Sequence, residues 1–332
     1  MMSVVIRIVI ASMLCLITAE ITVRLAGFTP APAVSAEPDA QLNIEDPSLG
    51  WQNRPEIRQT YRTPAAPPHT ITVLANGARA SRDPNAARQQ TAGRDVIFIG
   101  CSFTFGFGLK DEETFAWKVQ AAQPAWRVHN FGVNGYGTCQ SYGLLKTLFE
   151  RHVWRKPVVI YGFIDDHENR NVADYAWHYA LSRMSTRRNV LLPSCALDES
   201  GSIVFNALRP YPQFPLRRTL ATISLLEVNY LKLVGAALAA QKQRVTEQLL
   251  VEMEAFAAAR SGTFAVLLFD PSGSRSSYYR EFLERRGIPA LAVAGAGQNP
   301  AQTLSQADGH PNARMTDIIA QRVVGYLSSL GE

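Results

Sequence analysis

Asp95-Val-Ile-Phe-Ile-Gly-Cys-Ser102-Phe-Thr-Phe-Gly106 is the stretch on which the reading of this chain turns. Val96 to Ile99 is an unbroken apolar run of β-branched and aromatic residues, which predicts a strand buried on both faces. Gly100 permits the tight turn that leaves Ser102 at the strand's carboxyl end. Open parallel sheets bind ligands at that edge, so the hydroxyl is a candidate nucleophile. Taken alone, a serine after a strand serves as readily to cap the next helix.

A second stretch, Asp308-Gly309-His310-Pro311-Asn312, gives the serine possible partners. Pro311 keeps His310 out of the following helix, and Gly309 frees the backbone to turn the carboxylate toward the imidazole. A nucleophilic serine needs a base of this kind and a carboxylate to orient it. Alone, the string reads as a polar loop with Asn312 as helix cap. The helix expected at about 313–330 carries apolar residues at helical spacing: Met315, Ile318, Ile319, Val323, Tyr326 and Leu330.

Between the two stretches strands and helices alternate. The pattern predicts strand 95–100, helix 112–122, strand 126–130, helix 138–151 and strand 157–163. After an insertion at 164–262 come strand 263–269, helix 276–286 and strand 288–293. Alternation of this kind implies an α/β fold, a three-layer α/β/α sandwich around a parallel sheet. Right-handed crossovers then gather the serine, the glycine-rich segment after 130 and the Asp-His loop at one carboxyl edge.

Gly100-Cys-Ser102-Phe-Thr-Phe-Gly106, Asn130-Phe-Gly-Val-Asn-Gly135-Tyr-Gly-Thr138 and Asp308-Gly-His310-Pro-Asn312 resemble the blocks of the SGNH, or GDSL-like, hydrolase family across most of residues 94–330. The resemblance implies a flavodoxin-like sheet and a Ser102, His310 and Asp308 triad, with the oxyanion received by the Ser102 and Gly135 backbone N–H groups. Cys101 stands where the family has Asp. The third block differs more: Ile164-Asp165-Asp166-His167-Glu168 puts Asp165 at the place of an oxyanion Asn, and an ionised carboxylate cannot donate a hydrogen bond. Asn134 or His167 could substitute. Thr104 stands where a G-x-S-x-G elbow needs its second Gly, which disfavours an ordinary α/β-hydrolase. The implied substrate is a small ester or an O-acylated carbohydrate. Alternatives are an O-acyltransferase, or a non-catalytic carbohydrate-binding protein on the same fold.

The remaining sequence bounds partners and place. The chain has 332 residues, is 47% hydrophobic and carries a formal charge of +5. Its scattered basic residues form no nucleic-acid-reading motif, and it has neither a dinucleotide fingerprint nor a phosphate loop, so no cofactor is expected. Residues 4–19 are apolar but for Arg7, followed by Glu20 and Arg24. Residues 1–27 therefore read as a signal-anchor, with cleavage near Ala19 the alternative. This places the body outside the cytoplasm, at a membrane through its N-terminus; in a bacterium that is the periplasm. Residues 28–93 read as linker and leader, and 94–332 as the catalytic domain.

Cys15 falls inside the N-terminal segment, and the three left, Cys101, Cys139 and Cys195, are an odd number that defines no disulfide framework. A Cys101–Cys139 bridge is conceivable, but two buried thiols are the stronger expectation. In the insertion, Val190 to Leu192 and Ile203 to Phe205 suggest a hairpin around Asp198–Gly201. Tyr175 and Trp177 could stack on a sugar ring, although packing against the sheet is the stronger expectation. His167 lies among Asp165, Asp166 and Glu168, but neighbours in an extended loop point apart, so no metal site is expected.

Overall fold

A computed structural model describes residues 4–31, 42–63, 66–85, 93–184, 191–210, 212–269, 274–293, 301–304 and 309–330. Five strands form the central sheet: β1 (Asp95–Gly100), β2 (Arg127–Gly132), β3 (Val158–Phe163), β4 (Thr263–Leu268) and β5 (Ala290–Ala292). All pair in parallel, in the order 2-1-3-4-5. This is the flavodoxin-like order, whose direction reverses between β1 and β3.

Side chains alternate along each strand and divide between two apolar layers. Ile97, Ile99, Val159, Tyr161, Val266 and Leu268 face Leu145, Leu249, Met253 and Leu283 from helices Thr138–Arg151, Lys242–Ala258 and Ser274–Arg286. Val96, Phe98, Val158, Ile160, Ala265 and Leu267 face Phe115, Val119, Ile319 and Val323 from helices Phe115–Ala122 and Ala313–Ser329. The fold is thus the three-layer α/β/α sandwich. Strands β1 and β3 are buried along their whole length. Burying each large aliphatic or aromatic side chain is worth roughly 1.5–3 kcal/mol, so the centre of the sheet dominates the core.

Several elements differ from the sequence expectations. The helix expected at 112–122 is a turn of 3-10 helix at Asp111–Glu113 and a helix from Phe115, interrupted where Thr114 caps the latter. On the last helix the buried stripe runs through Met315, Ile319, Val323 and Leu327, leaving Ile318 and Leu330 exposed.

The hairpin around Asp198–Gly201 exists, but Ile203–Phe205 pairs with Cys195–Leu197, and Leu191–Leu192 pairs with Arg209–Pro210. Asp198 Oδ1 accepts hydrogen bonds from the Ser200 and Ser202 amides and fixes that turn.

The expectation of two buried thiols at 101 and 139 is corrected in one half. Cys139 is bonded to Cys195, with Cα atoms 5.9 Å apart, whereas Cys101 is a free, buried thiol. The bridge ties the insertion to helix Thr138–Arg151. The insertion's path sets that partner, and its sequence pattern does not fix that path.

Residues before the sheet pack onto it. Ile57–Thr63 and Ala66–Val73 form an antiparallel hairpin, and Arg79 continues it as a bridge to Asn130 on β2. The Arg79 side chain is fully buried. It pairs with Asp111 at 3.1 Å and donates to the carbonyls of Phe105, Gly106 and Leu109, the backbone just after Ser102.

Candidate active site

Ser102 opens a short helix, Ser102–Phe105, directly after β1. Gly100 precedes it at φ +149°, where an added Cβ would sit 2.4 Å from Thr104 Oγ1 and 2.9 Å from the Gly162 carbonyl. Only glycine fits so tight a turn, and the turn places the serine at the carboxyl edge of the sheet. Ser102 keeps 9% of its surface open, so its hydroxyl is largely removed from water.

His310 comes from the far end of the chain, and its Nε2 lies 2.7 Å from Ser102 Oγ. Its ring lies near those of Phe103 and Phe107, each with its centroid 4.8 Å away. The loop carrying it is held from both sides. The Leu304 amide donates to the His310 carbonyl, and Asn312 donates from its side chain to the Ala301 and Thr303 carbonyls while accepting from the Met315 amide. Asn312 is therefore the helix cap foreseen from the sequence, and capping fixes the histidine two residues upstream. Lys118 reinforces the junction by donating to the Ala313 carbonyl and Thr316 Oγ1. Asp308 lies outside the described residues.

The segment after β2 approaches the same edge. Gly135 sits at φ +82°, with an added Cβ only 3.2–3.3 Å from the rings of Trp51 and Trp177. Trp51 Nε1 donates to the Asn134 carbonyl, and the Tyr136 hydroxyl donates to the Trp51 carbonyl. Two tryptophans thus hold the backbone of 134–136 by packing and hydrogen bonds. Asn134 Oδ1 is buried and has no hydrogen-bond partner among the described residues.

Asp165 follows β3, and its Oδ1 accepts a 2.6 Å hydrogen bond from the buried Ser276 hydroxyl. His167 lies in the core beneath the sheet edge, its Nδ1 2.6 Å from the Tyr161 hydroxyl. Burial, reinforced by Arg170, holds its pKa well below the ordinary histidine value. Trp177 is buried against Gly135 and beneath the Arg170 guanidinium. Tyr175 is 37% exposed and lies under the Lys232 ammonium.

Sequence reasoning missed the support around the site. Phe103 and Phe107 were visible only as part of the strand-serine string, and their contact with His310 has no local signature. Asn130 holds the short helix that Ser102 opens by donating from Nδ2 to the Thr104 carbonyl, while its Oδ1 accepts from the Gly132 amide. Trp51 and Arg79 come from the leader, and no local signal shows which of its side chains reach the site.

No protein-family model and no curated protein matches the chain. Solved structures similar to it include GDSL lipolytic-family proteins and esterases. A lipolytic protein of the G-D-S-L family from Veillonella parvula is 10% identical, covering 70% of this chain and 97% of that one, with a TM-score of 0.39. The psychrotrophic esterase EstA from Pseudoalteromonas is 12% identical, covering 71% and 100%, with a TM-score of 0.40. The acetylxylan esterase Axe2 from Geobacillus stearothermophilus is 15% identical, covering 73% and 96%, with a TM-score of 0.33. At these scores the likeness adds nothing to the geometry of the site itself.

Proposed function

We propose that the protein is a serine hydrolase of the SGNH type that cleaves an acyl ester. The observation that carries this reading is the 2.7 Å contact between His310 Nε2 and Ser102 Oγ, made at the switch point of the sheet by residues 208 positions apart. His310 accepts the hydroxyl proton at Nε2 as Ser102 Oγ bonds to the ester carbonyl carbon. The Ser102 and Gly135 amides receive the oxyanion, with the two tryptophans keeping Gly135 in place. His310 then gives its proton to the departing alkoxide, leaving an acyl-Ser102 ester. Water repeats the cycle: His310 takes its proton, and the hydroxyl displaces Ser102 from the acyl carbon. Asp308 takes the orienting role that its neighbour in sequence, His310, requires.

By the resemblance of its sequence blocks, the substrate class is a small ester or an O-acylated carbohydrate. Asp165 is the open point of the oxyanion site: its carboxyl accepts from the Ser276 hydroxyl, and Asn134, next to Gly135, offers a neutral amide. Helix Val4–Leu25 is apolar and exposed along nearly its whole length. At about 33 Å it is long enough for a hydrocarbon core of about 30 Å, so it serves as signal-anchor with the sheet domain outside the cytoplasm. The Cys139–Cys195 bridge supports an oxidising compartment.

A serine-reactive fluorophosphonate applied to the detergent-solubilised full chain tests the reading. Labelling of the wild type and its loss in Ser102→Ala are expected. Equal labelling of the two, or none in a folded wild type that turns over esters, contradicts it.

A further inference from the structure

The two long apolar helices of this chain meet end to side, and the way they meet points to a second membrane contact. Glu20, near the end of helix Val4–Leu25, reaches helix Ala221–Ala239 and accepts hydrogen bonds from the amides of Ala221 and Thr222 and from Thr222 Oγ1, each 2.9 Å long. A carboxylate at a helix N-terminus satisfies amides that have no partner within the helix. Arg24, paired with Glu20 at 2.6 Å, donates to the Thr219 carbonyl. Helix Val4–Leu25 ends at Gly27 in a left-handed turn, and Ala31 donates from its amide to the Arg217 carbonyl. The end of the N-terminal helix is therefore docked on residues 217–222.

Helix Ala221–Ala239 has two unlike faces. Ala221, Ser224, Glu227 and Leu231 are buried against the domain, where Glu227 pairs with Arg217 at 2.8 Å. On the opposite side Leu226, Tyr230, Leu233 and Ala237 form an exposed stripe at helical spacing, with Val234 beside it. Leu233 is 77% exposed, and Leu216, also turned outward at the docked end, is 61% exposed. Asn229, also exposed, borders the stripe, and Lys232 lies further round the helix with its ammonium over the Tyr175 ring. The helix cannot cross a bilayer in this fold. It is followed immediately by Lys242–Ala258, which packs on the sheet, so both of its ends stay on the domain side.

We propose that helix Ala221–Ala239 lies in the surface of the same phospholipid bilayer that the N-terminal helix enters, with Leu226, Tyr230 and Leu233 turned into the lipid. The proposal rests on the anchor reading above. If residues 4–19 occupy the hydrocarbon, Glu20 and Arg24 mark the headgroup level, and the helix they cap starts at that level. An interfacial helix buries its apolar face about 5–10 Å into the headgroup and acyl boundary. The domain then rests on the membrane at a fixed angle. Helix Tyr175–Met184 transmits that placement to the site, since Tyr175 lies beneath Lys232 and Trp177 packs on Gly135.

The test reconstitutes the full chain in phosphatidylcholine–phosphatidylglycerol vesicles with a thiol-reactive fluorophore at one of two places. Cys15 is the exposed native thiol of the anchor, Cys101 is buried and the other two cysteines are bonded to each other. The second sample carries Leu233→Cys in a Cys15→Ser background. Lipids bearing a nitroxide near the headgroup or near the chain end report depth. The expected result is a roughly two-fold or larger loss of emission at position 233 with the headgroup-proximal nitroxide and a smaller one with the deep nitroxide, as an interfacial helix requires. Leu226→Glu with Tyr230→Glu, both on the exposed stripe, should remove that loss while Cys15 stays quenched. Quenching at Cys15 with none at position 233 overturns the proposal and leaves the anchor standing. Stronger quenching of position 233 by the deep nitroxide also overturns it, because the helix would then be inserted. Quenching at neither place overturns the anchor reading and the proposal with it.

Discussion

The carboxyl edge of the sheet and the insertion at 164–262 were read from the same sequence with very different success. At the edge, Ser102 and His310 are each placed by a short local device: a glycine turn after β1 and a capped helix after His310. In the insertion, position is decided by partners far away in the chain. Cys195 meets Cys139 from 56 residues away, and Glu20 caps Ala221 from some 200 residues upstream. A chemical site is legible where local geometry fixes it, and a scaffold around it is much less so.

The largest effect that could break this contrast is at the site. Ser102→Ala and His310→Ala should each lower kcat/KM on a short acyl ester by about 10⁴-fold or more, and the double variant should lose little beyond either single one. Thermal midpoints should stay close to the wild type. Additive losses would show that the two groups act independently and that the 2.7 Å contact has no chemical role.

Arg79 tests whether the leader belongs to the site's support. Arg79→Ala leaves Asp111 and three carbonyls without their buried partner, a loss of about 3–5 kcal/mol measured by chemical denaturation. A loss below 1 kcal/mol would mean the leader merely rests on the sheet.

The disulfide sharpens the contrast from the other side. Cys139→Ser with Cys195→Ser should cost about 2–4 kcal/mol, and hydrogen exchange should rise in 191–210 well before it rises in β1 or β3. Uniform exchange across both regions would show that the insertion and the sheet unfold as one unit.

Asp95, at the start of β1, gives a pH prediction. Burial raises its pKa, but hydrogen bonds from His129, Arg127 and the Arg155 amide outweigh this and bring it down to about 2. A carboxylate with a depressed folded pKa stabilises the protein above its unfolded pKa, near 3.9, and that stability is lost as pH falls toward 2. Asp95→Asn should therefore cost on the order of 2 kcal/mol at pH 7 and make stability less pH-dependent between about 4 and 2. An unchanged acid limb in the variant would remove Asp95 from the account.

The smallest expected change is at Asp165, where Asn would place a neutral donor after β3. Asp165→Asn should raise ester turnover by up to about ten-fold, short of the roughly 10²–10³-fold that a full oxyanion donor supplies. A lower turnover would assign the carboxylate to binding a cationic or hydroxylated substrate group.

Five strands, the order of helices around them, Ser102, His310 and the Asn312 cap were legible because each has a local signal, either an apolar run or a turn residue with one physical use. The breaks came where that signal is shared by several partners. Ile203 to Phe205 is a strand whichever strand it pairs with, and nothing in its residues chooses Cys195–Leu197 over Leu191–Leu192. Cys139 reads as a buried thiol until the insertion is folded onto it and brings Cys195 within reach. Nothing local to Arg79 shows that it is wholly buried.

The central claim is that Ser102 takes the acyl group. Acid quenching of the full chain within its first turnovers on an activated acetyl ester, followed by peptide mass mapping, tests that directly. The account predicts an acetyl group on the peptide carrying Ser102, located on the serine and not on Cys101, and absent from Ser102→Ala. Turnover by the wild type with Ser102 unmodified at every quench time, or an adduct on Cys101, would contradict it.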